Sequence, residues 1–393
     1  MPNNHHNGRH FLQVPGPTNV PERVLRAIAR PTIDHRGPTF RTMVFEILEK
    51  LQIVFQTASP VFVFPSSGTG AWEAALVNTL SPGDRVIIFE AGYFASQWQE
   101  MAKRLGLDVV AIVGDWHSGV DPSLIQDVLE NDHQHKIRAV CVVHNETSTG
   151  ITSAIPPIRQ ALDDSKHPAL LLVDTVSSLG SINYQHEEWN VDVTICCSQK
   201  GLMLPPGLGF NAVSRKALSV SQSCRMPRSY WDWENMLHFN KDGIFPYTPG
   251  TNLLFGLNEA LTMILDEGLD AVIARHTRYG TATRLAIDSW GLTLVGRETS
   301  QHSNSLTAVN MPTGYDADQF RKIVLDTFNL SLGGGLGKLS GIVFRIGHLG
   351  DFNDLMLIGT LGGVELGLGR MGVPHNPSGV QAALNYLSKV DLQ

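Results

Sequence analysis

The chain has 393 residues, 42% of them hydrophobic and 17% charged, with a formal net charge of -7. That length and apolar content imply a large core and two or three domains, while the acidic balance argues against a nucleic-acid or anionic-membrane binder, which carries a basic patch. No apolar run approaches the roughly 18–20 residues that span a bilayer, and the cysteines (Cys196 and Cys197 adjacent, Cys141 and Cys224 isolated) give neither a disulfide scaffold nor zinc-ligand spacing.

The first residues are polar and rich in histidine, with His5, His6 and His10, and read as a solvated arm rather than a metal site. They contain no apolar signal core, so secretion is not expected. From about residue 60 the pattern alternates. Apolar runs of strand length cover 61–64, 85–89, 109–113, 139–143, 169–173 and 191–196, and helical patterns between them cover 71–80, 94–105, 122–131 and 157–165. Runs that are apolar throughout fit a parallel sheet covered on both faces, and their alternation with helices gives a doubly wound α/β fold. The stretch 256–276 reads as one long helix. Beyond it the pattern changes to a strand at 306–309, a helix at 317–327, a strand at 342–346 and two closing helices, a smaller α+β unit. The expected division is an arm at 1–20, a large α/β domain at 21–275 and a small domain at 276–393.

Open α/β sheets bind ligands beyond the carboxyl ends of their strands, so the residues just after each run are the candidates. Asp174 follows 169–173, and Lys200 follows 191–197. Ser66, Ser67, Gly68, Thr69 and Gly70 open a helical pattern, where backbone N–H groups and the helix dipole favour an anion. Tyr93 and Phe94 follow the next strand, and the polar run His144-Asn-Glu-Thr-Ser-Thr-Gly150 follows another. Each alone has an ordinary explanation: a turn cap, a solvated lysine, an N-cap, a core aromatic, a turn. Together they supply an amine, a carboxylate, a phosphate cradle, an aromatic platform and a hydroxyl cluster. That set matches pyridoxal 5'-phosphate (PLP), whose aldehyde needs a lysine, whose ring nitrogen needs a carboxylate and whose phosphate needs a helix N-terminus.

These segments also resemble the class V, fold-type I aminotransferases. The resemblance is carried by Val14-Pro-Gly-Pro-Thr-Asn19, Ile33-Asp-His-Arg-Gly-Pro38, Ser67-Gly-Thr-Gly-Ala-Trp-Glu73, His144-Asn-Glu-Thr-Ser-Thr-Gly150, Ser198-Gln-Lys-Gly-Leu-Met-Leu-Pro-Pro-Gly207, Ser229-Tyr-Trp-Asp-Trp233, Phe245-Pro-Tyr-Thr-Pro249 and Phe344-Arg-Ile-Gly-His-Leu-Gly350. It implies a PLP-transferase fold and a homodimer with active sites at the subunit interface. It implies that Lys200 forms the Schiff base and later moves the substrate's α-proton, that Asp174 pairs with the pyridine nitrogen, and that Phe94 stacks on the ring with Val176 against it. Ser67, Gly68, Thr69 and Gln199 are implied to hold the phosphate, Thr147 to lie near the phenolic oxygen, and Tyr247 and Thr248 to reach the partner's phosphate. Arg345 is implied to grip the substrate carboxylate, with Thr147 beside it. His35 and Arg36 are either a surface turn or residues that enter the partner's pocket and help select the donor. The implied reaction is transfer of the amino group of L-serine to glyoxylate, giving hydroxypyruvate and glycine, with aspartate or alanine as alternative donors.

Other classes fit less well. The run Ser331-Leu-Gly-Gly-Gly-Leu-Gly-Lys338 lacks the first glycine and the final Ser or Thr of a phosphate-binding P-loop and reads as a flexible loop leading to Arg345. A cysteine desulfurase needs a reactive cysteine on a mobile loop, whereas Cys196 and Cys197 lie in a buried-looking strand. A non-enzymatic regulator would be expected to lose Lys200 or gain a DNA-binding domain. The ending Val390-Asp-Leu-Gln393 has no peroxisomal signal, so a cytoplasmic location is the expectation.

Overall fold

The computed structural model describes residues 8–389, so His5 and His6 lie outside the described residues. Its centre is a seven-stranded sheet in the order Val61–Ser66, Gly207–Val213, Val193–Cys197, Leu170–Asp174, Ile137–Val143, Arg85–Glu90 and Asp108–Val113. All pairings are parallel except those of Gly207–Val213, which runs antiparallel to both neighbours. Six of its strands have buried stretches, and Leu170–Asp174 and Val193–Cys197 are buried throughout, because helices cover both faces. This is the expected α/β fold.

A second sheet has the order Phe11–Gln13, Leu330–Gly334, Val343–Gly347, Leu306–Asn310 and Thr293–Leu294. The helices Ala317–Phe328, Asp354–Met371 and Gly379–Leu387 share an apolar core with it, including Phe320, Phe344 and Leu361. The first sheet's core runs from Val24 to Val272. The chain from Phe11 is therefore a strand of the second sheet rather than a loose arm, parallel to Leu330–Leu332. His10 is tied there too, sharing hydrogen bonds with Asn329 (2.7 Å) and Ser331 (3.1 Å). No group of three metal-ligating side chains occurs among the described residues.

The structure corrects three further sequence readings. The expected helix at 256–276 is two helices, Thr251–Glu267 and Leu269–Trp290, broken at Gly268, whose φ of +87° a helix interior does not permit. The segment Leu330–Gly334 is a strand antiparallel to Val343–Gly347, with a short 3-10 turn at Gly337–Leu339, not a flexible loop. The strand Gly207–Val213, second from the edge of the sheet, is absent from the apolar runs expected from the sequence.

Candidate active site

The carboxyl ends of the central strands open onto a cavity of about 250 Å³. Ser67, Gly68 and Thr69 reach it from the start of the helix Gly68–Thr79, and Phe94 from the first turn of Tyr93–Arg104. Thr147 comes from the loop after Ile137–Val143, Asp174 and Val176 from the end of Leu170–Asp174, and Gln199 and Lys200 from the turn after Val193–Cys197. The parallel arrangement explains the convergence: every one of these strands points its carboxyl end the same way, so residues distant in sequence meet at one edge.

Lys200 is 8% exposed. Burial pulls its amine down to about 8, with Cys197 and Asp174 opposing that fall and Arg345 adding to it. The amine donates a hydrogen bond to the carbonyl of Pro15. The segment that carries Pro15 is clamped beside it: Thr18 N–H donates to Gln199 O at 3.1 Å, and Thr18 Oγ1 donates to Lys200 O at 3.1 Å. Gly16 lies so close that a Cβ there would overlap the lysine side chain, and its φ of +104° also demands glycine. An amine brought down to about 8 titrates close enough to neutral pH to take and return a proton.

Asp174 is 3% exposed, and burial pushes its carboxyl up to about 7 despite two donors. Val176 N–H donates to one oxygen at 2.6 Å and Trp72 Nε1–H to the other at 2.9 Å. The remaining lone pairs of a buried, oriented carboxylate can take an N–H from a bound heterocycle.

The helix Gly68–Thr79 begins at the N-cap Ser67, whose side chain makes no cap hydrogen bond. Its first-turn N–H groups and positive dipole end are a site for an anion. Beside it the Gln199 side-chain oxygen is buried with no hydrogen-bond partner. Gly68 packs so tightly under Val176 that a Cβ would lie 2.7 Å from Val176 Cγ2.

Arg345 stands on Val343–Gly347 of the second sheet, 7% exposed. Its Nη1 donates to Thr147 O at 2.8 Å and its Nε to Gly334 O at 2.7 Å, and burial pulls its pKa down to about 10. This leaves N–H groups free for a carboxylate. Thr147 is held in turn, its Oγ1 donating to Ser177 Oγ at 2.8 Å.

Besides Arg345, which stands beyond the cavity lining, four predicted residues lie apart from it. His35 and Arg36 form a turn before the helix Pro38–Phe55, with Arg36 N–H donating to Asp34 Oδ1 at 2.9 Å. Tyr247 stacks on Tyr230 at 4.2 Å between ring centroids, and Thr248 is exposed. The sequence reading missed Trp72, which lines the cavity together with Gly16, Pro17 and Asn145. Trp72 had a signal: it lies one helical turn after Gly68 and so shares its face. The thiols of Cys196 and Cys197 are buried in their strand, and burial pushes that of Cys197 up to about 12, which removes them as nucleophiles.

Comparison with known proteins agrees with this geometry. The aminotransferase class-V model matches residues 10–336. The serine–glyoxylate aminotransferases of Methylorubrum extorquens and Arabidopsis thaliana are 47% and 46% identical, each covering 97% of this chain and 96% of the relative. An L-aspartate–glyoxylate aminotransferase of Paracoccus denitrificans is 44% identical over 95% of both chains. Among solved structures, the ureidoglycine–glyoxylate aminotransferase of Bacillus subtilis superposes with a TM-score of 0.90 at 27% identity, covering 98% of this chain and 99% of that one. The chain belongs to the class-V aminotransferase family, and its fold is that of the fold-type I PLP enzymes. PLP is the cofactor this membership implies, and the site fits it: a buried amine, a buried carboxylate and an uncapped helix N-terminus surround one cavity.

Proposed function

We propose that the protein transfers the amino group of L-serine to glyoxylate, giving hydroxypyruvate and glycine in a ping-pong cycle. The observation that carries the reaction class is the placement of a buried, partly neutral Lys200 amine and a buried Asp174 carboxylate in one cavity, with Arg345 fixed beyond them. The choice of serine rests on the two relatives of that specificity, and the aspartate-specific relative supports the alternative donor.

When bound, PLP supplies an aldehyde that condenses with primary amines and a ring that withdraws electrons from the substrate carbon. In this reading Lys200 holds the cofactor, and its freed amine takes the substrate's α-proton and returns it. Asp174 would accept the ring N–H and so would keep the nitrogen protonated. Phe94 and Val176 would bound the ring, Thr147 would lie at the phenolic side, and Ser67, Gly68, Thr69 and Gln199 would hold the phosphate. Arg345 orients the carboxylate that amino acid and oxo acid share.

The proposal includes a homodimer, in which Tyr247 and Thr248 reach the partner's phosphate site and His35 and Arg36 its substrate side. The buried His35 Nε2 supports this, since it has no hydrogen-bond partner among the described residues. So does the exposure of Phe45 on the helix Pro38–Phe55. Sedimentation of the purified protein tests it. A cytoplasmic location completes the proposal and is tested by fractionation; among the described residues no helix is long and apolar enough to cross a membrane.

The deciding experiment offers serine, alanine and aspartate with glyoxylate to the PLP-loaded protein and measures glycine and each oxo acid. Serine with the highest kcat/KM upholds the reading. Aspartate in first place replaces it.

A further inference from the structure

The helix Tyr93–Arg104, which carries Phe94, opens on Gly92, an N-cap with no side chain to offer its first turn. The facing loop supplies the caps instead. Ser148 Oγ accepts from Tyr93 N–H at 3.0 Å, and Glu146 accepts from Phe94 N–H at 3.3 Å and Ala95 N–H at 3.2 Å. Glu146 also accepts from Ser148 N–H at 3.0 Å and Ser148 Oγ–H at 2.7 Å.

This carboxylate is 1% exposed and has no ion-pair partner within 4 Å among the described residues. Its close neighbours are donors, so both oxygens accept. Such a set of bonds suits the ionised form, against the upward push of burial. The approach is possible only because residue 92 is glycine: a Cβ there would lie 2.6 Å from Glu146 Cδ and from Ser148 Oγ. On the other side of Glu146 the chain continues into Thr147, whose carbonyl accepts from Arg345 Nη1 at 2.8 Å.

We infer that Glu146 is a positioning residue: from the facing loop it caps the helix of Phe94, and so fixes both the Phe94 ring and the Thr147 carbonyl that orients Arg345. A single buried carboxylate thereby ties the aromatic wall of the cavity to the group that receives the substrate carboxylate. An apolar side chain at this position leaves the N–H groups of Phe94 and Ala95 without an acceptor, an amide sets its NH2 against one of them, and the helix start and loop then part. The inference rests on the PLP-transaminase reading above.

The test uses the cofactor-free and PLP-loaded forms of wild type, Glu146→Gln and Ser148→Ala. Spectroscopic titration gives the PLP Kd, steady-state kinetics give KM and kcat for glyoxylate, and circular dichroism confirms folding. For Glu146→Gln, the expected result is a rise in both the Kd for PLP and the KM for glyoxylate, each on the order of tenfold, the scale of one lost hydrogen bond to a charged group. Ser148→Ala, which removes one donor to Glu146 and the acceptor for Tyr93, is expected to raise both constants less. Wild-type protein that does not bind PLP refutes the underlying reading rather than this inference. Wild type that binds PLP, with a folded Glu146→Gln protein whose Kd and KM are unchanged, overturns it, even where the melting temperature falls. If Glu146→Gln does not fold, Ser148→Ala decides: raised constants in a folded protein uphold the inference and unchanged constants overturn it.

Discussion

Trp72 donates its indole N–H to Asp174 at 2.9 Å while its ring stacks on Trp98 at 5.8 Å between centroids, 14° from parallel. The stack fixes the indole, and the indole fixes one carboxylate oxygen; Val176 N–H fixes the other. Both donors favour the charged carboxylate, and burial still outweighs them, which is why the group sits near 7. Trp72→Phe keeps an aromatic ring in the stack and removes the donor. We expect the Asp174 carboxyl to move further up and PLP affinity to fall by roughly tenfold, on the scale of a hydrogen bond to a charged group. A spectroscopic PLP titration of both proteins checks this, and equal affinity refutes it.

The depressed amine of Lys200 sets a pH dependence in the cofactor-free protein. Burial pulls its pKa from 10.5 to about 8. Between those values the folded protein binds fewer protons than the unfolded chain, so stability rises with pH through the window. That contribution is lost as pH falls through about 8, where the folded state must hold a buried cation. Lys200→Met keeps the bulk and removes the charge. The cofactor-free variant should melt above wild type at pH 7, and the gap should close as the pH approaches 10.5. A gap that stays constant with pH shows that the amine is not the cause. The same variant should retain no PLP on the chain after borohydride reduction and denaturation, as judged by the reduced cofactor's absorption.

Much of this site could be read from the chain because strand ends announce it. Asp174 ends an uninterrupted apolar run and Lys200 comes three residues after the buried strand Val193–Cys197, and in a parallel sheet such ends lie at one edge. Other features are set by contacts that no local pattern encodes. Gly207–Val213 has two glycines in seven residues and follows two prolines, so it looks like a loop. Gly209 is required there because a Cβ would lie 2.8 Å from Ser67 O, where the strand passes beneath the anion-binding turn. The break at Gly268 is likewise invisible in a helical pattern that continues across it, since only its positive φ reveals the turn. Glu146 read as part of a polar turn, because its partners at Phe94 and Ala95 belong to another element.

Two glycines with opposite surroundings make a paired test of packing. At Gly68 a Cβ would press on Val176 Cγ2 at 2.7 Å and approach Cys197 Cβ at 3.7 Å, and Val176 is also tied to Asp174. Gly68→Ala should therefore cost about 1–3 kcal/mol as overpacking and weaken PLP binding. Gly362, inside the helix Asp354–Met371, has nothing within 4 Å of such a Cβ. Gly362→Ala should stabilise by about 0.5–1 kcal/mol through the unfolded chain and leave PLP binding alone. Denaturant unfolding and PLP titration of both variants read the two effects separately. Equal shifts in stability refute the packing argument at Gly68.

Arg345 is asked to do more than carry a charge. Its Nε and Nη1 are already spent on the carbonyls of Gly334 and Thr147, which position the guanidinium and leave its other N–H groups for a substrate carboxylate. Arg345→Lys keeps the charge but replaces a planar fork with a single ammonium. That ammonium cannot serve both carbonyls and a two-point carboxylate contact, so either a buried carbonyl or the substrate loses its partner. We expect kcat/KM to fall by about 2–3 kcal/mol of transition-state stabilisation, roughly 30- to 150-fold. Because donor and acceptor use one carboxylate site in a ping-pong cycle, the loss should be similar for serine and for glyoxylate. PLP affinity should change little, since Arg345 does not line the cofactor cavity. Kinetics with each substrate varied in turn, beside a PLP titration, check all three statements. A loss confined to one substrate would show that the two carboxylates are held by different residues, and Arg36 would then be the next candidate to test.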